Sequence, residues 1–190
     1  MARRRLRDAT IADNRRQNRV WFLLPNDGMR ELTSPIEVSA DIEIDAPAAA
    51  VWQVLTDLRR FSEWNPFIRR ARGELALGGD VHVRVRSTLH VPLAFHARVV
   101  AREHERRVRW QGEFLSRWLG SGDHTFTIEP IGEHRCRFAQ REYFAGLLPR
   151  LATSLLVREA KRGFDAMNQA LKARAEQLAE SPARARPMHA

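Results

Sequence analysis

Cysteine is almost absent from this chain of 190 residues, because Cys136 is the only one. An intrachain disulfide and a zinc site built from several cysteines are therefore excluded. No run approaches the ~20 consecutive apolar residues that a membrane-spanning helix needs. The apolar run 20–25 is also shorter than the ~7–15 residues of a secretory signal core. From these absences we expect a soluble, cytoplasmic protein without a transmembrane segment.

Lysine is also scarce, since 30 of the 32 basic residues are arginine, and the formal net charge is +9. Residues 1–35 carry eight arginines against four acidic residues, and residues 181–190 add two more arginines. The remaining segment, 36–180, holds 22 basic and 19 acidic residues, a net charge of only +3. A nucleic-acid footprint is a positive stripe on a folded face, so we do not expect a nucleic-acid partner.

The charge map agrees with the hydropathy pattern in dividing the chain into three parts. Residues 1–35 show no sustained period and are interpreted as a basic N-terminal extension, disordered or loosely attached. Residues 36–180 form the predicted domain, and residues 181–190 a disordered tail.

Strict alternation of apolar and polar residues begins at 36–44 and predicts a strand with one wet face. Asp45-Ala46-Pro47 ends that strand and starts a helix, and a second short helical turn covers 60–64. A 3.6-residue apolar period then runs from Pro149, through Leu151, to about Glu180. Six further alternating segments lie between these helices: 67–74, 81–86, 95–102, 107–112, 124–128 and 135–144. The pattern predicts an α+β fold whose antiparallel sheet buries one face under the last helix.

Particular residues stand at the joints of these elements. They are Ile44-Asp45-Ala46-Pro47, Val51-Trp52, Leu55-Thr56-Asp57, Trp64-Asn65-Pro66-Phe67, Gly122-Asp123-His124-Thr125-Phe126, Glu142-Tyr143-Phe144-Ala145-Gly146, and Gly163-Phe164, Met167-Asn168 and Leu171. In order and spacing they resemble the START-like (SRPBCC) superfamily, within it the polyketide cyclase/dehydrase and lipid-transport group. The resemblance covers roughly 36–180 and implies the helix-grip fold: a seven-stranded curved antiparallel sheet, two short helices after strand 1, and a long C-terminal helix across the concave face. It also implies a hydrophobic cavity between sheet and helix, but no single activity, because members bind lipids, quinones, hormones and polyketides, act as co-chaperones, or catalyse.

The last predicted hairpin brings polar residues onto the buried face. With its turn at 130–133, His124 lies opposite Gln140; a register shifted by two residues places His124 opposite Glu142 instead. In both registers the three side chains share an apolar face and need partners, since an unpaired buried polar group costs ~1–3 kcal/mol. One hypothesis is a polar patch that holds a ligand's oxygen. The other is a self-satisfied cluster that ties the hairpin to the helix.

We expect the cavity to bind a small hydrophobic molecule such as a lipid, a quinone or a polyketide-like compound. No cofactor and no metal is expected, because the chain has no glycine-rich phosphate loop and no close set of metal-ligating side chains. Cys136, among apolar neighbours, is interpreted as an inert core residue. The candidate ligand-binding residues are Phe95, Trp110, His124, Phe126, Phe138, Gln140, Glu142, Phe144, Phe164 and Met167.

Two other functions remain open. A cyclase or dehydratase would use His124 and Glu142 as weak candidate catalytic residues for acid–base chemistry, although no nucleophile is evident. A co-chaperone-like module would use the apolar segment 114–119, which is alternatively a flap over the cavity, a transient membrane contact or a core-capping loop.

Three smaller features allow two interpretations each. Gly112 marks either a bulge or a place where something approaches the strand closely. Gly163 either deepens the cavity under the helix or allows tight helix-to-sheet packing. Trp64-Asn65-Pro66 is interpreted as a structural turn rather than a ligand contact.

Overall fold

A strand opens the described part of the chain, and a helix of 32 residues closes it. The computed structural model describes residues 35–86, 92–113, 116 and 119–184. Residues 1–34 of the predicted extension and 185–190 of the predicted tail lie outside these ranges. The elements are β1 (Ile36–Ile44), α1 (Ala48–Thr56), a 3₁₀ turn (Leu58–Arg60), α2 (Phe61–Trp64), β2 (Ile68–Gly73), β3 (Asp80–Arg86), β4 (Pro92–Glu103), β5 (Arg107–Glu113), β6 (Ser121–Gly132), β7 (Arg135–Ala145), α3 (Leu147–Leu151) and α4 (Thr153–Arg184).

The seven strands form one antiparallel sheet in the order β1-β7-β6-β5-β4-β3-β2. Strands consecutive in the chain from β2 to β7 are neighbours, and β1 closes the order beside β7. The long helix α4 packs against β1 and α1. This architecture confirms the predicted α+β helix-grip fold, with a curved sheet around a C-terminal helix.

The core lies where α1 and the C-terminal half of α4 meet the sheet. Val51 of α1 and Leu171 of α4 are both fully buried in the larger apolar cluster. A smaller cluster joins Phe164 and Ala160 of α4 to β1. The apolar side chains that recur at the predicted periods are therefore buried in the core, and their burial stabilises the fold.

The segment Trp64-Asn65-Pro66 has the structural role that the sequence suggests. Asn65 is fully buried, and its Oδ1 accepts hydrogen bonds from the backbone N–H groups of Phe67 and Ile68 at 3.0 and 2.8 Å. Its side chain therefore holds the turn into β2. Phe67 then packs tightly against Gly163, where an added Cβ would lie 2.2 Å from Phe67 Cδ2. Of the two interpretations of Gly163, tight packing is the one observed.

The register of the last hairpin differs from the first prediction. His124 pairs with Glu142, not with Gln140, so the register shifted by two residues is the one that forms. The reason is a tighter turn, at residues 133 and 134 rather than 130–133, with a register shift between Pro130 and Gly132.

The predicted alternation along β4 is wrong at its C-terminal end. The register against β5 shifts between Val99 and Ala101, and Arg102 pairs with the buried Val108. This bulge places Arg102 on the side of the sheet that faces α1, where its exposed side chain lies with the guanidinium 5.1 Å from the ring of Trp52. The alternation predicted the opposite, with Ala101 inward and Arg102 outward.

The predicted C-terminal helix is interrupted near its start. Helix α3 ends at Leu151, and Ala152, with φ −127° and ψ 34°, separates it from α4. This break changes the helical phase, so Leu151 is 74% exposed and its placement in the apolar stripe was wrong. Helix α4 continues to Arg184, beyond the predicted end near Glu180.

Candidate ligand-binding site

Three small residues on neighbouring strands form a depression in the concave face of the sheet. Ala97 of β4 pairs with Gly112 of β5, and Gly112 pairs with Gly122 of β6. Phe144 of β7 borders this row on one side. Since glycine has no side chain, the row leaves a depression between larger neighbours. Gly112 therefore provides space and does not mark a bulge.

A cavity of about 420 Å³ lies above this depression. Its volume falls in the range of small-molecule sites, ~300–1,000 Å³. The sheet forms one wall, and α3 and the first turns of α4 form the opposite wall. The lining residues are Phe67, Ile68, Val83, Val85, Leu93, Phe95, Ala97, Trp110, Gly112, Gly120, Ser121, Gly122, His124, Glu142, Phe144, Leu148, Pro149, Ala152, Leu155, Leu156, Glu159 and Ala160.

Half of the sequence-predicted ligand-binding residues lie on the cavity wall. They are Phe95, Trp110, His124, Glu142 and Phe144. The other half pack in the core, each at most 1% exposed: Phe126, Phe138, Gln140, Phe164 and Met167. Both groups point toward the concave face of the sheet, so the sequence pattern placed them together. They differ in the structure because α4 packs closely against only one end of the sheet.

Several lining residues were not among the predicted ones. Leu155 and Leu156 belong to the apolar stripe and were assigned to packing, although they line the cavity. Gly112 was the sequence signal for open space, and Gly122 lines the cavity beside it. Neither the apolar stripe nor the glycines predict that Glu159 lines the cavity, because its position depends on how α4 packs against the sheet.

A buried hydrogen-bond network fixes the orientation of His124. Gln140 Nε2 donates to Asn168 Oδ1 at 2.5 Å and to the Phe164 carbonyl oxygen at 3.4 Å. Gln140 Oε1 is thereby left to face His124 Nε2 at 3.2 Å. Because a carbonyl oxygen only accepts, this contact assigns a hydrogen to His124 Nε2. The cluster ties β6 and β7 to α4.

The second ring nitrogen of His124 faces Glu142 across the strand pair. Nδ1 lies 3.2 Å from Glu142 Oε2, and the two side chains are 5% and 17% exposed. With Nε2 already protonated, Nδ1 and Oε2 repel each other unless one of them carries a proton. A hydrogen bond between Nδ1 and Oε2 therefore needs a proton on one of these two atoms.

Aromatic rings surround His124 on the cavity floor. Phe126 stacks on its ring with centroids 4.1 Å apart, and Phe164 lies at 4.9 Å. Trp110, its cross-strand neighbour, makes an edge contact at 6.0 Å. These rings exclude water from the inner side of the His124–Glu142 pair, which strengthens its electrostatic interaction.

The neighbouring carboxylate, Asp123, is already paired on the other face of the sheet. Arg109 donates to both of its oxygens, at 2.7 and 2.6 Å, and Gln111 donates at 2.9 Å. The hydrogen bond with Asp123 raises the pKa of Arg109. Asp123 thus supports the strand pair and does not line the cavity.

Cys136 lies in the core and is not among the residues that line the cavity. Cys136 is fully buried, and burial raises the pKa of its thiol to about 11. Over the described ranges, no group of three or more His, Cys, Asp or Glu side chains is placed to hold a metal ion. Most of the segment 114–119, including Phe114 and Trp118, lies outside the described residues, so its predicted roles stay predictions. None of the helices in the described ranges is long and apolar enough to cross a membrane.

A sheet wrapped around a long helix, with a cavity between them, defines the helix-grip class. The sequence model for "Polyketide cyclase / dehydrase and lipid transport" matches residues 35–176. The chain therefore belongs to this family. No curated protein matches the sequence.

Solved structures show the same fold at low sequence identity. The ZhuI aromatase/cyclase from Streptomyces sp. R1128 is 18% identical, with a TM-score of 0.65 over 76% of this chain and 95% of that one. A START superfamily protein from Mycobacterium smegmatis is 17% identical, with a TM-score of 0.63 over 76% and 99% of the two chains. Norcoclaurine synthase from Thalictrum flavum is 13% identical, with a TM-score of 0.61 over 77% and 97%. At these identities the comparisons establish the fold alone.

Proposed function

We propose that this protein binds a small hydrophobic molecule in the cavity between the sheet and helices α3 and α4. The observation that carries the proposal is an apolar cavity of about 420 Å³ with the His124–Glu142 pair on its wall. A ligand there buries its apolar body and directs one polar group to this pair. The proposal places the protein in the cytoplasm, as its cysteine content predicts, with a lipid, quinone or polyketide-like compound as ligand.

The binding test uses the neutral fluorescent probe N-phenyl-1-naphthylamine, which brightens in apolar surroundings. Leu156 lines the cavity, so Leu156→Trp fills it and is expected to weaken probe binding by about tenfold or more, ~1.4 kcal/mol. Leu151→Trp is the matched control, because Leu151 is 74% exposed and is not a lining residue. Native mass spectrometry of the purified protein then looks for a co-purifying ligand. Equal binding by both variants would reject the cavity as the site.

Acid–base catalysis is a second candidate function, and the His124–Glu142 pair at the cavity wall favours it. A cyclase or dehydratase moves protons next to a carbonyl group. The test follows hydrogen–deuterium exchange beside the carbonyl of 2-tetralone by NMR. If the pair is catalytic, Glu142→Gln lowers the exchange rate by ~10²–10⁴-fold while binding persists. Exchange at the uncatalysed rate with the unaltered protein would reject this function.

A further inference from the structure

Glu142 offers the cavity a hydrogen-bond acceptor at its Oε1 atom. Oε2 faces His124 Nδ1, so a proton that joins the pair lies on one of those two atoms. In both arrangements Oε1 carries no hydrogen and has free lone pairs. Oε1 also lies over the depression, since a Cβ at Gly122 would be 2.5 Å from it.

His124 itself has no hydrogen left for a ligand. Its Nε2 hydrogen points to Gln140 Oε1, which is held by Asn168 and the Phe164 carbonyl. Its Nδ1 side faces Glu142. At the polar end of the cavity His124 therefore offers no donor, and Glu142 offers an acceptor.

The residues that line the cavity also disfavour an anionic ligand. Two carboxyl side chains line the cavity, Glu142 and Glu159, and no lysine or arginine is among its described lining residues. A deprotonated carboxylate or phosphate beside Glu142 would place its oxygens against Oε1 with no hydrogen between them, which is unfavourable in an apolar site.

From these two observations we infer that the ligand presents a neutral O–H or N–H donor to Glu142 Oε1, and that carboxylates and phosphates are excluded from this end of the cavity. A hydroxyl on an alcohol, an enol or a phenol is the simplest such group. The inference rests on the proposed binding function and specifies the ligand chemistry at the same site.

Three naphthalenes of matched shape test the inference: 2-naphthol, 2-methylnaphthalene and 2-naphthoate, each competing with N-phenyl-1-naphthylamine. We expect 2-naphthol to bind about tenfold more tightly than 2-methylnaphthalene, which corresponds to ~1.4 kcal/mol. We expect 2-naphthoate to bind more weakly than 2-methylnaphthalene by a similar factor.

Two substitutions at Glu142 separate the acceptor from its charge. In Glu142→Gln the amide N–H is available to His124 Nδ1 and the carbonyl oxygen remains an acceptor, so the preference for 2-naphthol persists while 2-naphthoate becomes less disfavoured. Glu142→Leu removes the acceptor, and 2-naphthol and 2-methylnaphthalene then bind within about twofold of each other. Glu133→Leu is the control, because its side chain is 89% exposed and outside the cavity lining.

The possible results distinguish this inference from the proposed function. If all three compounds displace the probe equally well, or if 2-naphthoate binds most tightly, the donor inference is overturned and cavity binding stands. If the probe and all three compounds fail to bind the unaltered protein, both are overturned. Retention of the 2-naphthol preference in Glu142→Leu also overturns the inference, because the acceptor would then lie elsewhere.

Discussion

The Glu142 carboxylate occupies the space above Gly122, where an added Cβ would lie 2.5 Å from Oε1. These residues lie on neighbouring strands, β7 and β6, and the absence of a side chain at Gly122 allows the carboxylate to face the cavity. The position of the polar group is thus linked to the depression beneath it.

Gly122→Ala is expected to displace the Glu142 carboxylate. Because the obstructed atom ends a flexible side chain, the free energy of unfolding should change by less than ~1 kcal/mol. Affinity for 2-naphthol should fall by about three- to tenfold, as a hydrogen bond is lost or misaligned. Competition titrations and urea denaturation measure the two effects. Gly132→Ala, on the same strand with open space around it, should change neither.

Gly163→Ala is expected to destabilise the protein, although alanine is the better helix former. The added methyl would overlap the Phe67 ring, at ~1–3 kcal/mol for overpacking against ~1 kcal/mol gained in helix propensity. Urea denaturation measures the balance. Adding Phe67→Leu to the variant should recover part of the loss, and strict additivity of the two substitutions would contradict this account.

Phe164→Ala is expected to lower the free energy of unfolding by ~3–5 kcal/mol. Phe164 is fully buried, and its ring packs on Phe67 at 5.8 Å and on His124 at 4.9 Å. Chemical denaturation provides the measurement, with the exposed Leu151→Ala as a control that should stay within ~0.5 kcal/mol. A loss below ~1 kcal/mol would show that Phe164 is not part of the packed core.

Cys136 predicts a loss of stability at alkaline pH. Burial raises the pKa of its thiol from 9.0 to about 11, so the unfolded chain loses this proton first as the pH rises. The contribution is complete below pH 9 and falls through pH 11, with a slope of at most about 1.4 kcal/mol per pH unit. Urea denaturation between pH 8 and 11 should show a shallower decline in Cys136→Ala. Parallel curves for the two proteins would refute the assignment.

The fold was largely predictable, because its signals are local. The alternation along Ile36–Ile44 and the helical period through Phe164 and Leu171 each indicate an element and the face that it buries. The joint residues, such as Asn65, indicate turns by their own hydrogen bonding. A periodic pattern of this kind can be recognised in the sequence without knowing which element packs against it.

The candidate site was predictable only in part. Inward orientation correctly grouped His124, Gln140 and Glu142, but it did not separate the cavity wall from the core. That separation depends on the break at Ala152, which sets the phase of α4, and on the row of small residues in β4, β5 and β6.

By itself the sequence determined the order of the elements, their buried faces and the family resemblance, since each follows from spacing along the chain. Tertiary structure decided the pairing of His124 with Glu142, the side of the sheet on which Arg102 lies and the place where the cavity opens. Register and bulges follow from how a whole strand fits its neighbour. An alternating pattern repeats every two residues and therefore permits registers two residues apart equally well.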